Sequence, residues 1–415
     1  MNIWILVLGE PLENDEGNPR MHRAGMLARH LVEAGHNVVF WTSNVDHFKK
    51  IVRCKESREI HIEDNYKIIE LAGRLYIKNI SFNRILHNFE VTKEFKRLAK
   101  LEKKPDIVLT HFPIIELSEA AINFCNLNNI PSIVDIRDFW PDIFYETLPS
   151  RLKFVGDFIF MPWHRKVRNI VNNVTGITGI SDEAIKWARA KNNQSIQKVD
   201  KSFPLAYKNE TQFDYDAEFL YKNNLNPKEH NIYCFFGNLS ARYELDIVAS
   251  ASKILNTQEN CNIRLVICGS GEMLDTLKET AKICPSLVLP GWVDKDQINT
   301  LLSVSKAGIL PYPSTLDFIR SYPNKVGEYL SKHLPILSSV KGEMQTLLED
   351  WNCGITYDNN SPQSLVKAIN LIEENKEVRN AMSVNAGKCY RSMFDSNIVY
   401  DNYINYIKSF LTKPN

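Results

Sequence analysis

The chain predicts an α/β protein built as two doubly wound halves, each a parallel sheet covered by helices. Three observations carry this expectation. Short apolar runs alternate with amphipathic helical patterns. The alternation breaks near Asp200-Lys201-Ser202-Phe203-Pro204 and restarts at Ile232. The 415 residues also suffice for two ordinary cores.

The elements follow in order. Residues 3–8 are a continuous apolar run, the first expected strand. A polar loop, 9–19, comes next. Ala24, Leu27, Ala28, Leu31 and Val32 then recur at helical spacing, and Gly35 is placed to end that helix. Further strands are expected at 37–41, 67–71, 106–110, 132–135 and 176–180. A polar stretch through Asn209-Glu210-Thr211 to about His230 reads as a linker. The second half repeats the scheme, with strands at 232–236, 264–268, 287–289, 307–310, 336–338 and 354–357 and helices between them, such as 364–372. The domains are therefore read as 1–205 and 206–390, with 391–415 a C-terminal helix packing back on the first. Two such halves face a central cleft, where ligands sit at the carboxyl ends of the strands.

Composition removes several classes. Hydrophobic content of 44% and charged content of 24% are ordinary for a globular protein. A net charge of +1 argues against a nucleic-acid binder. Eight cysteines stand at scattered positions without a Cys-x-x-Cys pair, which disfavours zinc or redox motifs and suits reduced thiols in the cytosol. The N-terminus lacks the basic start of a cleavable signal. No apolar run approaches the ~18 residues of a membrane span. A soluble or at most peripheral protein is expected.

Five segments follow strands at positions where ligands bind. In Phe235-Phe236-Gly237-Asn238-Leu239-Ser240-Ala241-Arg242, Gly237 permits a tight turn and Arg242 suits bidentate phosphate binding. Cys268-Gly269-Ser270-Gly271 offers a close backbone approach but lacks the third glycine of a dinucleotide fingerprint. Pro290-Gly291-Trp292-Val293 places a backbone to read a base edge, with Trp292 either packed or stacking. In Pro323-Asn324-Lys325-Val326-Gly327-Glu328-Tyr329, Pro323 suits a first helical position. Lys325 falls in the first turn and Glu328 shares its face, an arrangement for a nucleotide diphosphate and sugar hydroxyls. The fifth, in the first half, is Asp135-Ile136-Arg137-Asp138-Phe139-Trp140-Pro141-Asp142, charged within an aromatic setting. There Asp138 and Asp142 have two readings, acceptor contact or helix capping. His111 closes another strand, either as a cleft residue or as a hydrogen-bonded structural one.

The order of these segments resembles the retaining glycosyltransferases of family 4, of GT-B fold, over nearly the whole chain. Pro-Asn-Lys-x-x-Glu-Tyr and Arg-Asp-x-Trp-Pro-Asp resemble the bacterial capsule and O-antigen assembly enzymes in particular. The resemblance implies that Arg242 and Lys325 neutralise the nucleoside diphosphate and that Glu328 holds the ribose. It further implies donor-nucleotide contacts from Gly237, Asn238, Gly269, Ser270, Gly271, Trp292, Val293 and Asn324. His111 and Asp138 join the catalytic set, and Gly17, Asp142 and Asp317 face the donor sugar or acceptor. The first Glu of the family's Glu-x7-Glu is here Arg320, for which Asp317 is the candidate substitute.

Function follows from the same resemblance: transfer of a sugar, of N-acetylhexosamine type, from a UDP-sugar to a polyprenyl-diphosphate-linked saccharide. Anomeric configuration is retained, and neither metal nor cofactor is needed. Asp214-Tyr215-Asp216 imitates a metal-binding pair but reads as solvated linker. Residues 151–168 mix Phe154, Phe158, Phe160, Met161 and Trp163 with Lys153, Arg165, Lys166 and Arg168. That mixture suits either the inner face of the cytoplasmic membrane or a half-buried helix. The alternatives are a sugar-nucleotide epimerase, a nicotinamide oxidoreductase and a non-catalytic nucleotide-sugar-binding assembly protein.

Overall fold

The computed structural model describes the chain except residues 18, 147, 150, 152, 210, 211, 259–261 and 412–415, and the side chains of 146 and 157. Cys261, Glu210, Thr211 and the last four positions of the expected C-terminal helix thus lie outside the described residues. The chain divides into two compact units, one of Met1–Pro204 with Val399–Asn415, the other Leu205–Ile398.

The first unit holds strands β1 (Asn2–Leu6), β2 (Asn37–Ser43), β3 (Val45–Asp46), β4 (Ile51–Val52), β5 (Arg58–Glu63), β6 (Tyr66–Leu71), β7 (Ile107–His111), β8 (Ser132–Ile136), β9 (Gly176–Gly179) and β10 (Lys201–Ser202). Eight of them form one sheet in the order β10-β9-β8-β7-β1-β2-β6-β5. All its pairings are parallel except β5 on β6. The five residues of β1 are all buried, as a central parallel strand requires. Trp4, Trp41 and Phe95 pack one face of the sheet, with Trp4 and Trp41 centroids 5.0 Å apart. Gly35, at φ 80°, ends helix Arg23–Glu33 as its sequence position predicts. From the C-terminal segment, Tyr403 stacks on Phe203 at 4.2 Å and 6° and bonds the Thr178 hydroxyl at 2.7 Å.

The second unit holds β11 (Asn231–Asn238), β12 (Ile263–Ser270), β13 (Leu287–Gly291), β14 (Ser305–Leu310), β15 (Ile336–Ser338) and β16 (Gly354–Thr356). Their order is β13-β12-β11-β14-β15-β16, parallel throughout. The reversal of direction between β11 and β14 is a topological switch point of the kind that binds ligands. Both units are thus Rossmann-like, as the alternating pattern predicts.

Cys54, Cys125, Cys234, Cys268, Cys284, Cys353 and Cys389 are free thiols. No helix among the described residues is long and apolar enough to cross a membrane.

Candidate active site

In the second unit, β11 and β12 end in register, Gly237 beside Gly269 and Asn238 beside Ser270. Gly237, Gly269 and Gly271 have φ of 138°, 136° and 150°, a region side chains rarely enter. The three glycines answer different needs. A Cβ on Gly269 would stand 1.8 Å from the Gly237 carbonyl oxygen, and one on Gly271 2.6 Å from that of Leu239. Here the backbones themselves require glycine. At Gly237 the neighbour is a side chain: a Cβ would lie 2.8 Å from Lys325 Nζ.

Lys325 opens helix Lys325–Ser331. Its Nζ donates to the Tyr312 hydroxyl at 3.0 Å and lies 5.2, 5.8 and 5.9 Å from the ring centroids of Phe235, Tyr312 and Phe236. Burial lowers its pKa, against smaller opposing effects of Tyr243 and Glu328. A desolvated ammonium held by rings and a hydroxyl gains strongly from an arriving anion. Glu328 lies one turn on and is 9% exposed. Asn324 is the exposed N-cap, so Pro323 stands just before the helix instead of at its first position.

Arg242 pairs with Asp317 at 3.1 Å, which joins two residues that the sequence assigns to phosphate and sugar. An aromatic cluster connects this pair to Lys325. Tyr243 packs edge-on against Tyr312 at 4.6 Å, and Tyr312 stacks on Phe318, beside Asp317, at 4.8 Å and 3°. Tyr312, Tyr243 and Phe318 carry no role in the sequence reading. The run Leu310-Pro311-Tyr312-Pro313 after a strand is the only local sign of them. Arg320 caps the short helix Leu316–Ile319. Trp292 is 75% exposed, which removes the packing alternative, whereas Val293 is buried.

Asp216 is not merely solvated. It caps helix Ala217–Lys222, accepting from the Phe219 amide at 2.7 Å, and also accepts from Gln297 at 3.2 Å. Asp214 is tied through its amide to Asp296 at 3.3 Å.

In the first unit, His111 is buried at the carboxyl end of β7, and its Nδ1 meets Asp135 Oδ2 at 3.1 Å. Asp135 also takes a two-pronged pair from Arg23, at 2.8 and 3.0 Å, and the Thr178 hydroxyl at 2.8 Å. Burial alone would raise the Asp135 pKa. Arg23 and His111 outweigh it and hold the carboxyl well below the usual range. His111 Nε2 is buried without a hydrogen-bond partner among the described residues. Near it, Glu10 accepts from the amides of Ala24 and Gly25 and pairs with Arg137. Burial raises the Glu10 pKa, but Arg137 and His111 bring it below normal. The Glu10–Arg137 pair is invisible in sequence because its partners stand on different loops.

Other first-unit residues named from the sequence have contacts of their own. The Asp142 carboxylate receives Trp187 Nε1 at 2.7 Å and Lys191 Nζ at 2.5 Å. Asp138 accepts from the Phe139 amide at 2.8 Å. Gly17 is exposed at φ 91°, with nothing within 4 Å of where a Cβ would stand. Its loop is pinned by Asp15 to Arg53 at 2.6 and 2.7 Å.

Two parallel-sheet Rossmann-like units in one chain define the GT-B class, and solved structures bear this out over full length. Sucrose-phosphate synthase from Thermosynechococcus elongatus has a TM-score of 0.72 at 12% identity, covering 99% of each chain. Anabaena Alr3699/HepE in complex with UDP gives 0.67 at 11% identity, over 99% of this chain and 100% of that one. WaaG, a glycosyltransferase involved in lipopolysaccharide biosynthesis, gives 0.61 at 14% identity, over 97% and 99%. Residues 216–388 match the family described as Glycosyl transferases group 1. The protein is a GT-B glycosyltransferase. No curated protein sequence matches the chain.

Proposed function

We propose that the protein moves a sugar, of N-acetylhexosamine type, from a UDP-sugar to a hydroxyl of a polyprenyl-diphosphate-linked saccharide in surface-polysaccharide assembly, working at the inner face of the cytoplasmic membrane. The observation that carries this reading is the desolvated Lys325 ammonium over Gly237 at the end of β11. The HepE complex with UDP supports a uridine nucleotide, and WaaG supports a surface-glycan acceptor.

In this reading, departure of the diphosphate builds negative charge, and Lys325 and Arg242 stabilise it. Arg242 must first leave Asp317, which then becomes available to the donor sugar. Glu328 holds the ribose. Trp292, Asn324, Asn238 and Ser270 are exposed and supply the remaining nucleotide contacts. His111 stands near the donor sugar, and Asp138 orients the acceptor hydroxyl. The leaving phosphate accepts the acceptor's proton, so configuration is retained and no metal is needed.

A donor-by-acceptor screen with membrane extract, reading released uridine diphosphate, tests the proposal. Acceptor-dependent release with one UDP-sugar is expected. A nucleotide sugar altered in the absence of acceptor would favour the epimerase instead. Donor binding without turnover across the panel would favour an assembly protein.

A further inference from the structure

The first unit contains an apolar groove of about 380 Å³ far richer in rings than an acceptor hydroxyl requires. Ile85, Trp140, Phe144, Leu148, Phe160 and Trp163 line it. At about 30 Å³ per small group, it holds roughly a dozen carbons, the two or three isoprene units nearest a head group. Apolar side chains around it remain in solvent: Ile80 is 75% exposed, Phe82 70% and Phe158 76%. Helix Lys153–Asn173 therefore combines two characters. Val167, Ile170 and Val171 are buried at its far end, whereas Phe154, Phe158 and Ile159 are bare at its start.

The lip of this groove is cationic. Asn79, which lines it, receives Lys50 Nζ on its side-chain oxygen at 2.6 Å and Arg84 on its carbonyl at 2.6 Å. Both cations also lie over the ring of buried Tyr76, at 5.0 and 5.7 Å, and Arg84 lies over Trp140 at 5.1 Å. His47 joins them through Nδ1 to the Tyr76 hydroxyl at 2.8 Å. Burial and these two cations push the His47 pKa down to about 4 against a smaller opposing effect of Asp46, and burial followed by the Arg84 charge lowers that of Lys50. Among the described residues, no carboxylate lies within ion-pair distance of Lys50 or Arg84, and Asp46 and Asp138 act on them only from farther off. Like charges gathered at one point gain from a shared anion.

We infer that this groove binds the isoprenoid chain of the acceptor lipid, with the lipid's diphosphate seated on Lys50 and Arg84 at Asn79. The inference rests on the lipid-linked acceptor proposed above and adds where the lipid goes. One chain beside one compact cationic lip fits a prenyl diphosphate, whose hydrocarbon and charge meet at one end.

Farnesyl diphosphate is the probe, titrated into the full chain without donor and followed by tryptophan quenching from Trp140 and Trp163. Tenfold or greater weakening is expected both for farnesol, which lacks the charge, and for inorganic pyrophosphate, which lacks the chain. Arg84→Gln and Lys50→Gln should each weaken farnesyl diphosphate severalfold and leave farnesol unchanged. The exposed groove residue Ile159, as Ile159→Gln, should weaken both prenyl ligands. Uridine diphosphate affinity should stay within twofold in all three variants, which shows that they are folded. Equal affinity for farnesol and farnesyl diphosphate would overturn the inference. So would binding of phosphatidylglycerol vesicles that farnesyl diphosphate fails to displace, since that marks a plain membrane surface. Because no turnover is involved, failure of the transfer assay leaves this measurement intact, and failure of one reading is told apart from failure of the other.

Discussion

Lys325 stands so close to Gly237 that a Cβ at that glycine would lie 2.8 Å from the ammonium nitrogen. The end of β11 and the start of helix Lys325–Ser331 therefore constrain each other. Lys325→Ala should lower turnover by about 10²-fold, the usual effect of losing one preorganised donor at developing charge. Gly237→Ala keeps the lysine but strains a φ of 138° and displaces the ammonium. A loss approaching 10²-fold is expected once the displacement reaches ~1 Å. Single-turnover kinetics at saturating donor measures both, and wild-type rates in either variant would refute the assignment.

The lowered pKa of Lys325 has a definite sign. Below an ordinary 10.5, the folded state disfavours the charged lysine. The unfolded chain then binds more protons between the two values, so this residue's contribution to stability improves as pH rises through that window. An anionic nucleotide does the opposite and draws a proton onto Lys325. Calorimetry in buffers of different ionisation enthalpy should detect proton uptake on binding uridine diphosphate at alkaline pH, absent in Lys325→Ala. Binding without uptake in the wild type would contradict it.

Arg242 and Asp317 make an ion pair at a solvent-exposed arginine, an interaction worth about 0–1 kcal/mol. Asp317→Asn should therefore tighten uridine diphosphate by no more than about fivefold by releasing Arg242. It should still slow sugar transfer if Asp317 then contacts the donor sugar. Arg242→Ala weakens the nucleotide. Isothermal titration alongside kinetics separates these effects, and a weaker nucleotide complex in Asp317→Asn would reverse the assigned relation.

Asp135→Asn should destabilise the first unit by roughly 3–5 kcal/mol, because it leaves Arg23 buried without its counter-charge. The depressed Asp135 pKa means that its stabilisation is complete above the ordinary 3.8 and is lost as pH falls through the lower folded value. Urea melts of wild type and variant should thus differ equally at neutral and mildly acidic pH and converge only below 3.8. Convergence at pH 6 would exclude this account.

Much of the scaffold was legible because a buried parallel strand is apolar along its whole length. Residues 232–236 announce β11 and 336–338 announce β15 for that reason. The antiparallel edge β5 escaped notice because Arg58–Glu63 is charged and largely exposed, with no continuous apolar run. The β3–β4 pair is too short to show a period. In the candidate site, local motifs mark Lys325, Glu328 and Gly237 as residues of interest. That the lysine lies over the glycine, that Gly269 yields to a carbonyl, or that Glu10 meets Arg137 are facts of tertiary proximity with no local pattern. Asp142 shows the converse. A motif singles it out, and folding commits its carboxylate to Trp187 and Lys191.

The stacking of Tyr403 on Phe203 has a practical corollary. A fragment severed after residue 204 would lose the aromatic lid and the hydroxyl that Thr178 relies on, and should be poorly soluble when made alone. Supplying 399–411 as a separate peptide should rescue it in trans, so the N-terminal half is best regarded as a two-piece module stitched together by a segment that follows the second unit.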